Sequence, residues 1–155
     1  MSPEIHIDSL YSVLHPQALP LVWELRYEVL RKPLSMPFST VAFDEDDLDT
    51  TVHVVAFSGD HGVGCVTLLK DPSKQSIQLR GMAVRVEYQG LGIGARLLKA
   101  AHGISAQHKK NLWCNARQSA VSFYEKNGWT SYGPFFEIPI IGQHVAMQWK
   151  IPDRE

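Results

Sequence analysis

The stretch that most constrains this chain is Gln89-Gly90-Leu91-Gly92-Ile93-Gly94, set between a strand-like run from Ile77 to Val86 and a helix-like run from Ile93 to Ala106. Glycine at alternate positions opens turn conformations closed to other residues and leaves no Cβ in front of the amides. A helix that starts here has unpaired N–H groups in its first turn, with the positive end of its dipole facing the turn. Together these features make an anion pocket suited to a phosphate or pyrophosphate. A single glycine here would read as a bare tight turn, but three in this context favour phosphate binding. Read loosely, Gly90-x-Gly92-x-x-Ala95 also fits the dinucleotide fingerprint. That fingerprint needs a strand running directly into the first glycine and an acid about 20 residues on. Here Glu87-Tyr88-Gln89 intervene, and the next strand-like run, Asn111 to Asn115, ends without an acid.

The chain as a whole alternates strands with three helices. Glu4 to Leu10 alternates apolar and polar residues, with Ile5, Ile7 and Ser9 on one side, and predicts a first strand. Gln17 to Arg31 predicts a helix whose inner face is Ala18, Leu21/Val22, Leu25 and Val29, with Pro20 in its first turn and Pro33 ending it. Thr51–Phe57, Gly62–Lys70 and Gln75–Val86 form a meander, the first two joined across Ser58-Gly59-Asp60-His61. In the helix after the glycines, Ile93, Leu97, Ala100/Ala101 and Ile104 face inward, while Arg96, Lys99, His102 and His108 face water or outer phosphates. Asn111–Asn115 is a short apolar strand, which implies parallel pairing through a right-handed crossover. Arg117–Asn127 reads as a second helix, with Ala120, Phe123 and Tyr124 inward and Gly128 at its C′ position. Trp129–Tyr132, Phe135–Ile138 and His144–Ile151 complete the sheet.

Between these elements lies an acidic run, Asp44-Glu45-Asp46-Asp47-Leu48-Asp49. It lacks the glycine and the final glutamate of a calcium loop. The favoured reading is a solvated connector; the other is that Glu45 and its neighbours attract a cationic amine at the mouth of a site. At 155 residues with a net charge of −1, the chain fits one domain over 1–155 and offers no basic surface for nucleic acid and no polybasic membrane patch. Met1-Ser2-Pro3-Glu4-Ile5-His6 lacks the build of a signal peptide, and no apolar run is long enough to span a bilayer. Cys65 and Cys114 both fall in strand-like runs and read as reduced, buried thiols of a cytoplasmic protein. The seven histidines show no metal-ligand spacing, so no metal is expected. A homodimer is left open.

Two motifs carry a family resemblance. Gln89-x-x-Gly92-x-Gly94 resembles the Q/R-x-x-G-x-G/A acyl-CoA motif of the GNAT superfamily of N-acyltransferases, and Met82-Ala83-Val84 precedes it as the family's short apolar strand end. Ala120-Val121-Ser122-Phe123-Tyr124-Glu125-Lys126-Asn127-Gly128-Trp129 is similar to the family's A-x-x-F-Y-x-x-x-G-F element, with Trp for Phe. The early Leu25-Arg26-Tyr27-Glu28-Val29-Leu30-Arg31, the acidic run and His53-Val54-Val55 resemble one branch of small bacterial-type acetyltransferases.

The resemblance implies an α/β (α+β) fold with a mixed, mostly antiparallel sheet, a splayed central parallel pair and flanking helices. It implies acetyl-CoA in the wedge, its pantetheine arm along Met82, Ala83 and Val84 and its pyrophosphate on Gln89, Gly90, Leu91, Gly92, Ile93, Gly94 and Ala95. Tyr124 falls where the family often has a tyrosine that protonates the departing CoA sulfur; a phenol with a pKa of about 10 stays protonated for that task. The family's asparagine seven residues before this tyrosine is Arg117 here, so Asn115 or Arg117 takes its place against the cofactor. His144, Glu45 and His53 are candidates for the general base. The implied reaction is acetyl transfer from acetyl-CoA to a small-molecule or peptide amine by direct attack in a ternary complex. A non-catalytic acyl-CoA sensor on the same fold and a nucleotide-binding protein are the alternatives.

Overall fold

A computed structural model of the protein describes residues 4–152; Met1-Ser2-Pro3, on which part of the leader-peptide reading rests, lie outside the described residues. Seven strands form one sheet: β1 Ile5–Leu10, β2 Val52–Ser58, β3 His61–Leu69, β4 Ser76–Val84, β5 Asn111–Arg117, β6 Thr130–Ile138 and β7 Gly142–Trp149, in the order β1-β2-β3-β4-β5-β7-β6. Every neighbouring pair is antiparallel except β4 and β5. That parallel pair touches only at Ser76–Asn111, Ile77–Leu112 and Gln78–Trp113. Beyond those residues β4 stays with β3 as far as Val84–Gly64, and β5 stays with β7 as far as Arg117–His144. The two strands therefore diverge, and a wedge opens at the centre of the sheet.

Helices α1 (Ala18–Arg26), α2 (Ile93–His108) and α3 (Val121–Lys126) cover the two faces. Ile93, Leu97, Leu98 and Ala101 of α2 pack with Val54, Val66, Ile77, Leu79, Leu112 and Cys114 on one face. Ala18, Val22 and Leu25 of α1 pack with Val55, Cys65 and Ala83 on the other. Strands β2 and β3 are buried on both faces, which is why their sequences read as nearly continuous apolar runs.

Several expected boundaries move, each for a local reason. The first helix is α-helical only to Arg26; a π turn over Tyr27–Arg31 and a 3₁₀ turn over Lys32–Leu34 follow. Pro33 does not end the helical path, because it sits at the start of the 3₁₀ turn, where its missing N–H has no partner to lose. The chain turns away at Ser35, in the left-handed region at φ +57°. Arg117 still has strand dihedrals, a 3₁₀ turn spans Gln118–Ala120, and α3 begins at Val121. Gly128 takes the expected positive φ, +90°, just past that helix. The two expected strands Trp129–Tyr132 and Phe135–Ile138 are one strand, β6, with a register shift between Tyr132 and Phe136 that absorbs Gly133 and Pro134. His102 does not face water. Its ring stacks on Trp149 at 4.0 Å and 2°, and its Nε2 accepts a hydrogen bond from Trp129 Nε1 at 2.9 Å.

Candidate active site

The wedge is floored by a cavity of about 520 Å³ whose walls come from β4, β5, the π turn, α3 and the β6–β7 connection. A bulge shapes its β4 wall: between the pairs Cys65–Ala83 and Thr67–Arg80, the single residue Val66 faces both Gly81 and Met82. Gly81 has φ +66°, and a Cβ there would lie 2.8 Å from Arg26 Nε and 3.4 Å from the Phe43 ring. Glycine is required at this position on both counts. Further along, Arg85 N–H donates to Val63 O at 2.8 Å, so the facing pair Val84–Gly64 is of the non-hydrogen-bonded kind. The N–H and C=O of Val84 consequently point away from β3, toward the open side of the wedge. Gln89 Nε2 donates to that carbonyl at 2.9 Å and braces the glycine turn against the strand end.

Within the turn the three glycines divide their tasks. Gly90 and Gly92 have φ of +81° and +80°, and nothing lies within 4 Å of where their Cβ atoms would be. Gly92 is the N-cap of α2, and no side chain caps that helix. Open space, exposed backbone and uncapped amides are what a pyrophosphate needs. Gly94 instead makes room for a neighbour, since its Cβ would stand 3.1 Å from Phe123 Cζ of α3. Leu91 is exposed, while the side chain of Ile93 belongs to the core, so at position 93 only the backbone is available to a ligand.

Tyr124 is 5% exposed and lines the cavity beside Cys114. Burial, and then the Cys114 thiol, push its phenol well above the ordinary tyrosine range, so it is a proton donor at neutral pH. Burial likewise pushes the Cys114 thiol up to about 12, which makes it an inert wall rather than a nucleophile. His144 sits opposite Arg117 on β7 and also lines the cavity. Its Nδ1 donates to the Gly142 carbonyl at 2.8 Å, which leaves the Nε2 lone pair of the neutral ring free.

Asn115 and Arg117 also line the cavity, from its α1 side, while other expected residues stand outside it. Asn115 shares its sheet face with Trp113 and Arg117, opposite to Leu112, Cys114 and Ala116, which pack with α2. It therefore faces the α1 side, away from the glycine turn, and Arg117 does the same. His53 is fully buried, with Nδ1 on Thr67 Oγ1 at 2.8 Å and Nε2 on the Asp46 carbonyl at 3.0 Å, so neither nitrogen is free for a base. The acidic run is not a solvated connector along its whole length. Asp46 is 2% exposed and pairs with both terminal nitrogens of Arg26 at 2.7 and 2.9 Å. It also accepts from Trp23 Nε1 and the Phe43 N–H. Burial pushes the Asp46 carboxyl up, but the Arg26 guanidinium and these donors outweigh it and hold the pKa low. Glu45 does not line the cavity; its carboxylate stands 3.8 Å from Arg80.

No role for Arg31 or Arg80 on the cavity wall was read from the sequence, although the alternation Gln78, Arg80 against Ile77, Leu79 and Asn115, Arg117 against Cys114, Ala116 marks one polar face shared by two adjacent strands. Among the described residues no cluster of three His, Cys, Asp or Glu side chains could hold a metal ion, and no helix is long and apolar enough to cross a membrane.

Comparison with known proteins bears on the family and the fold. The chain is 29% identical over 133 residues to the uncharacterized N-acetyltransferase YitI of Bacillus subtilis (strain 168), covering 81% of this chain and 87% of that one. Its fold matches Escherichia coli ElaA with a TM-score of 0.84 at 19% identity, over 95% of this chain and 100% of that one. It also matches an aminoglycoside 6'-N-acetyltransferase complexed with coenzyme A, with a TM-score of 0.76 at 16% identity, over 97% and 99% of the two chains. The family model for the acetyltransferase (GNAT) domain aligns with residues 49–131, from just before β2 through the glycine turn to the start of β6. With more than half of its length matched and the parallel pair splayed at its centre, the chain belongs to the GNAT family of acetyltransferases.

Proposed function

We propose that this protein is an acetyl-CoA-dependent N-acetyltransferase in which an amine attacks the thioester directly within a ternary complex. The observation that carries this reading is the Val84 peptide, whose N–H faces the same open wedge that Tyr124 enters from the β5 side. Acetyl-CoA supplies an acetyl group activated as a thioester. Gly90, Gly92 and the uncapped amides that open α2 suit its pyrophosphate, and the backbone of Met82–Val84 suits its amide-bearing arm.

The roles of the chain's own groups follow from acyl transfer. The Val84 N–H stabilises negative charge on the carbonyl oxygen as the C–N bond forms. His144 Nε2, a free lone pair on the cavity wall, takes the proton that the amine must lose. Tyr124 gives its proton to the sulfur as the C–S bond breaks, a step suited to a phenol that burial keeps protonated.

Calorimetric titration with acetyl-CoA tests this reading on the wild type and on Gly92→Val. A β-branched residue resists φ +80° and would fill the open space before the amides. Each charge-assisted hydrogen bond lost there corresponds to about tenfold or more in affinity. Wild-type binding with a collapse in a still folded Gly92→Val is the expected result. Unchanged binding by the variant removes the phosphate cradle, and a wild type that binds no acetyl-CoA removes the transferase reading.

A further inference from the structure

The cavity is lined by three arginines, Arg31, Arg80 and Arg117, and by no aspartate or glutamate. Arg80 is partly answered, since Glu45 stands 3.8 Å away and its guanidinium lies over the Phe43 ring. Arg31 and Arg117 have no carboxylate partner among the described residues. Both instead reach for one neutral atom: the Leu30 carbonyl accepts from Arg31 Nη1 at 3.4 Å and from Arg117 Nη2 at 3.3 Å. Arg31 Nε is buried and bonds to nothing. Burial, and after it the charges of Arg117, Arg26 and Arg80, lower the Arg31 pKa, which is the mark of a cation held among cations. Two guanidinium groups converging on one carbonyl repel each other and have lost part of their water. An anion between them would relieve both costs, and guanidinium forks match carboxylate and phosphate oxygens.

The location assigns that anion to the acceptor rather than to CoA. None of the residues from Gln89 to Ala95 lines the cavity, and Arg117 faces the α1 side of the sheet, away from α2 and its glycine turn. Arg117 is also paired across the strands with His144, whose free nitrogen lines the same cavity. A volume of about 520 Å³ is that of a small-molecule site.

Building on the acyl-transfer reading above, we propose that Arg31 and Arg117 form an anion site, and that the acceptor is a small amine bearing a carboxylate or phosphate group. Polycationic amines are the wrong charge for this wall, so the likeness to an aminoglycoside acetyltransferase extends to the fold and not to the acceptor.

The test is a paired panel at saturating acetyl-CoA: L-amino acids against their carboxamides, O-phosphoethanolamine against ethanolamine, and spermidine and kanamycin as polycations. Thiol release reports turnover, and thermal denaturation with each compound alone reports binding without turnover. At least one acid should exceed its neutral partner in kcat/KM by on the order of tenfold to a hundredfold, the value of a charge-assisted hydrogen bond or two. The pair that wins separates a carboxylate from a phosphate. Arg117→Gln and Arg31→Gln should erase the preference through KM and abolish the thermal stabilisation by the acid, with acetyl-CoA affinity unchanged. Arg117→Lys, which keeps the charge and loses the fork, should recover part of it.

Preference for neutral or cationic amines overturns the anion site, as does a preference that survives both glutamine variants, or no preference in either measurement. The two proposals fail separately. Acetyl-CoA binding with acetylation blind to acceptor charge leaves the transferase and removes the anion site. Arginine-dependent stabilisation by acids without acetyl-CoA binding does the reverse.

Discussion

Arg26 and Arg31 lie five residues apart on one helical path and meet opposite fates. Arg26 is 1% exposed and fully engaged at its tip: Asp46 takes both terminal nitrogens, and Val41 O and Thr67 Oγ1 accept one each at 2.7 Å. Its network continues through Thr67 and Asp46 to both nitrogens of His53. Arg31, at the end of the π turn, faces a cavity with two other arginines and no acid. The first arginine ties the loop before β2 to the back of the β4 bulge, where Gly81 leaves it space. The second is left unneutralised at a surface a ligand can reach. A buried charge that the fold itself neutralises is part of the scaffold, whereas one left unanswered at a cavity points to chemistry supplied from outside.

The comparison breaks most clearly at Asp46. Asp46→Asn leaves the Arg26 guanidinium buried without its counter-charge, and removing one partner of a buried pair costs about 3–5 kcal/mol. Urea denaturation should register that loss, while Arg31→Gln should leave the midpoint nearly where it was. Equal losses in the two variants would erase the distinction between the two arginines.

Tyr124→Phe tests the cavity side from the other direction. The substitution keeps the ring packed against Trp129 at 5.1 Å and removes a hydroxyl whose near neighbour is the Cys114 thiol. A net hydrogen bond is worth about 1 kcal/mol, so stability should move little. Turnover should fall by on the order of a hundredfold, the low end for general acid assistance, because a thiolate with a pKa of about 8.5 also departs unaided. Equal losses in kcat and kcat/KM would mark a contact made in the transition state. Wild-type rates in single-turnover acetyl transfer would remove Tyr124 from the chemistry.

The smallest effect concerns acid. Burial lowers the His102 pKa from 6.5 to about 4, and burial also lowers that of His53. Between pH 6.5 and about 4 the unfolded chain binds more protons at these rings than the folded one. Stability contributed by the neutral rings is therefore present above pH 6.5 and declines as pH falls through this window. His102→Gln, which can still accept from Trp129 but does not titrate there, should give a flatter dependence of the urea midpoint on pH. A slope identical to that of the wild type would show that His102 carries none of it.

Much of the fold was written locally. Alternation marked the strands, and glycine chemistry marked both the α2 start and the end of α3, because each of these signals depends on residues within a few positions of one another. Tyr124, the Met82–Val84 strand end and the Gln89–Gly94 turn were legible for the same reason, through short motifs at characteristic spacing. The limits of α1 and α3 were less so: π and 3₁₀ turns at their ends answer to the bulge and the cavity they pack against, and residues far along the chain set those constraints.

The sequence by itself determined that a strand is followed by a glycine-rich turn and a helix, and that the chain returns as a parallel strand. It could not determine which charges meet. Asp46 looked like any member of an acidic run until Arg26, Trp23 and the Phe43 amide closed around it. Nor could the sequence show that Gly94 leaves room for the Phe123 ring, 3.1 Å from where a Cβ would stand. Arg31 and Arg117, separated by most of the chain, became one site only when β5 and the π turn were brought to the same carbonyl. Periodicity and turn chemistry are properties of neighbouring residues. Neutralisation and desolvation depend on distance in space, and only the packed structure sets that distance.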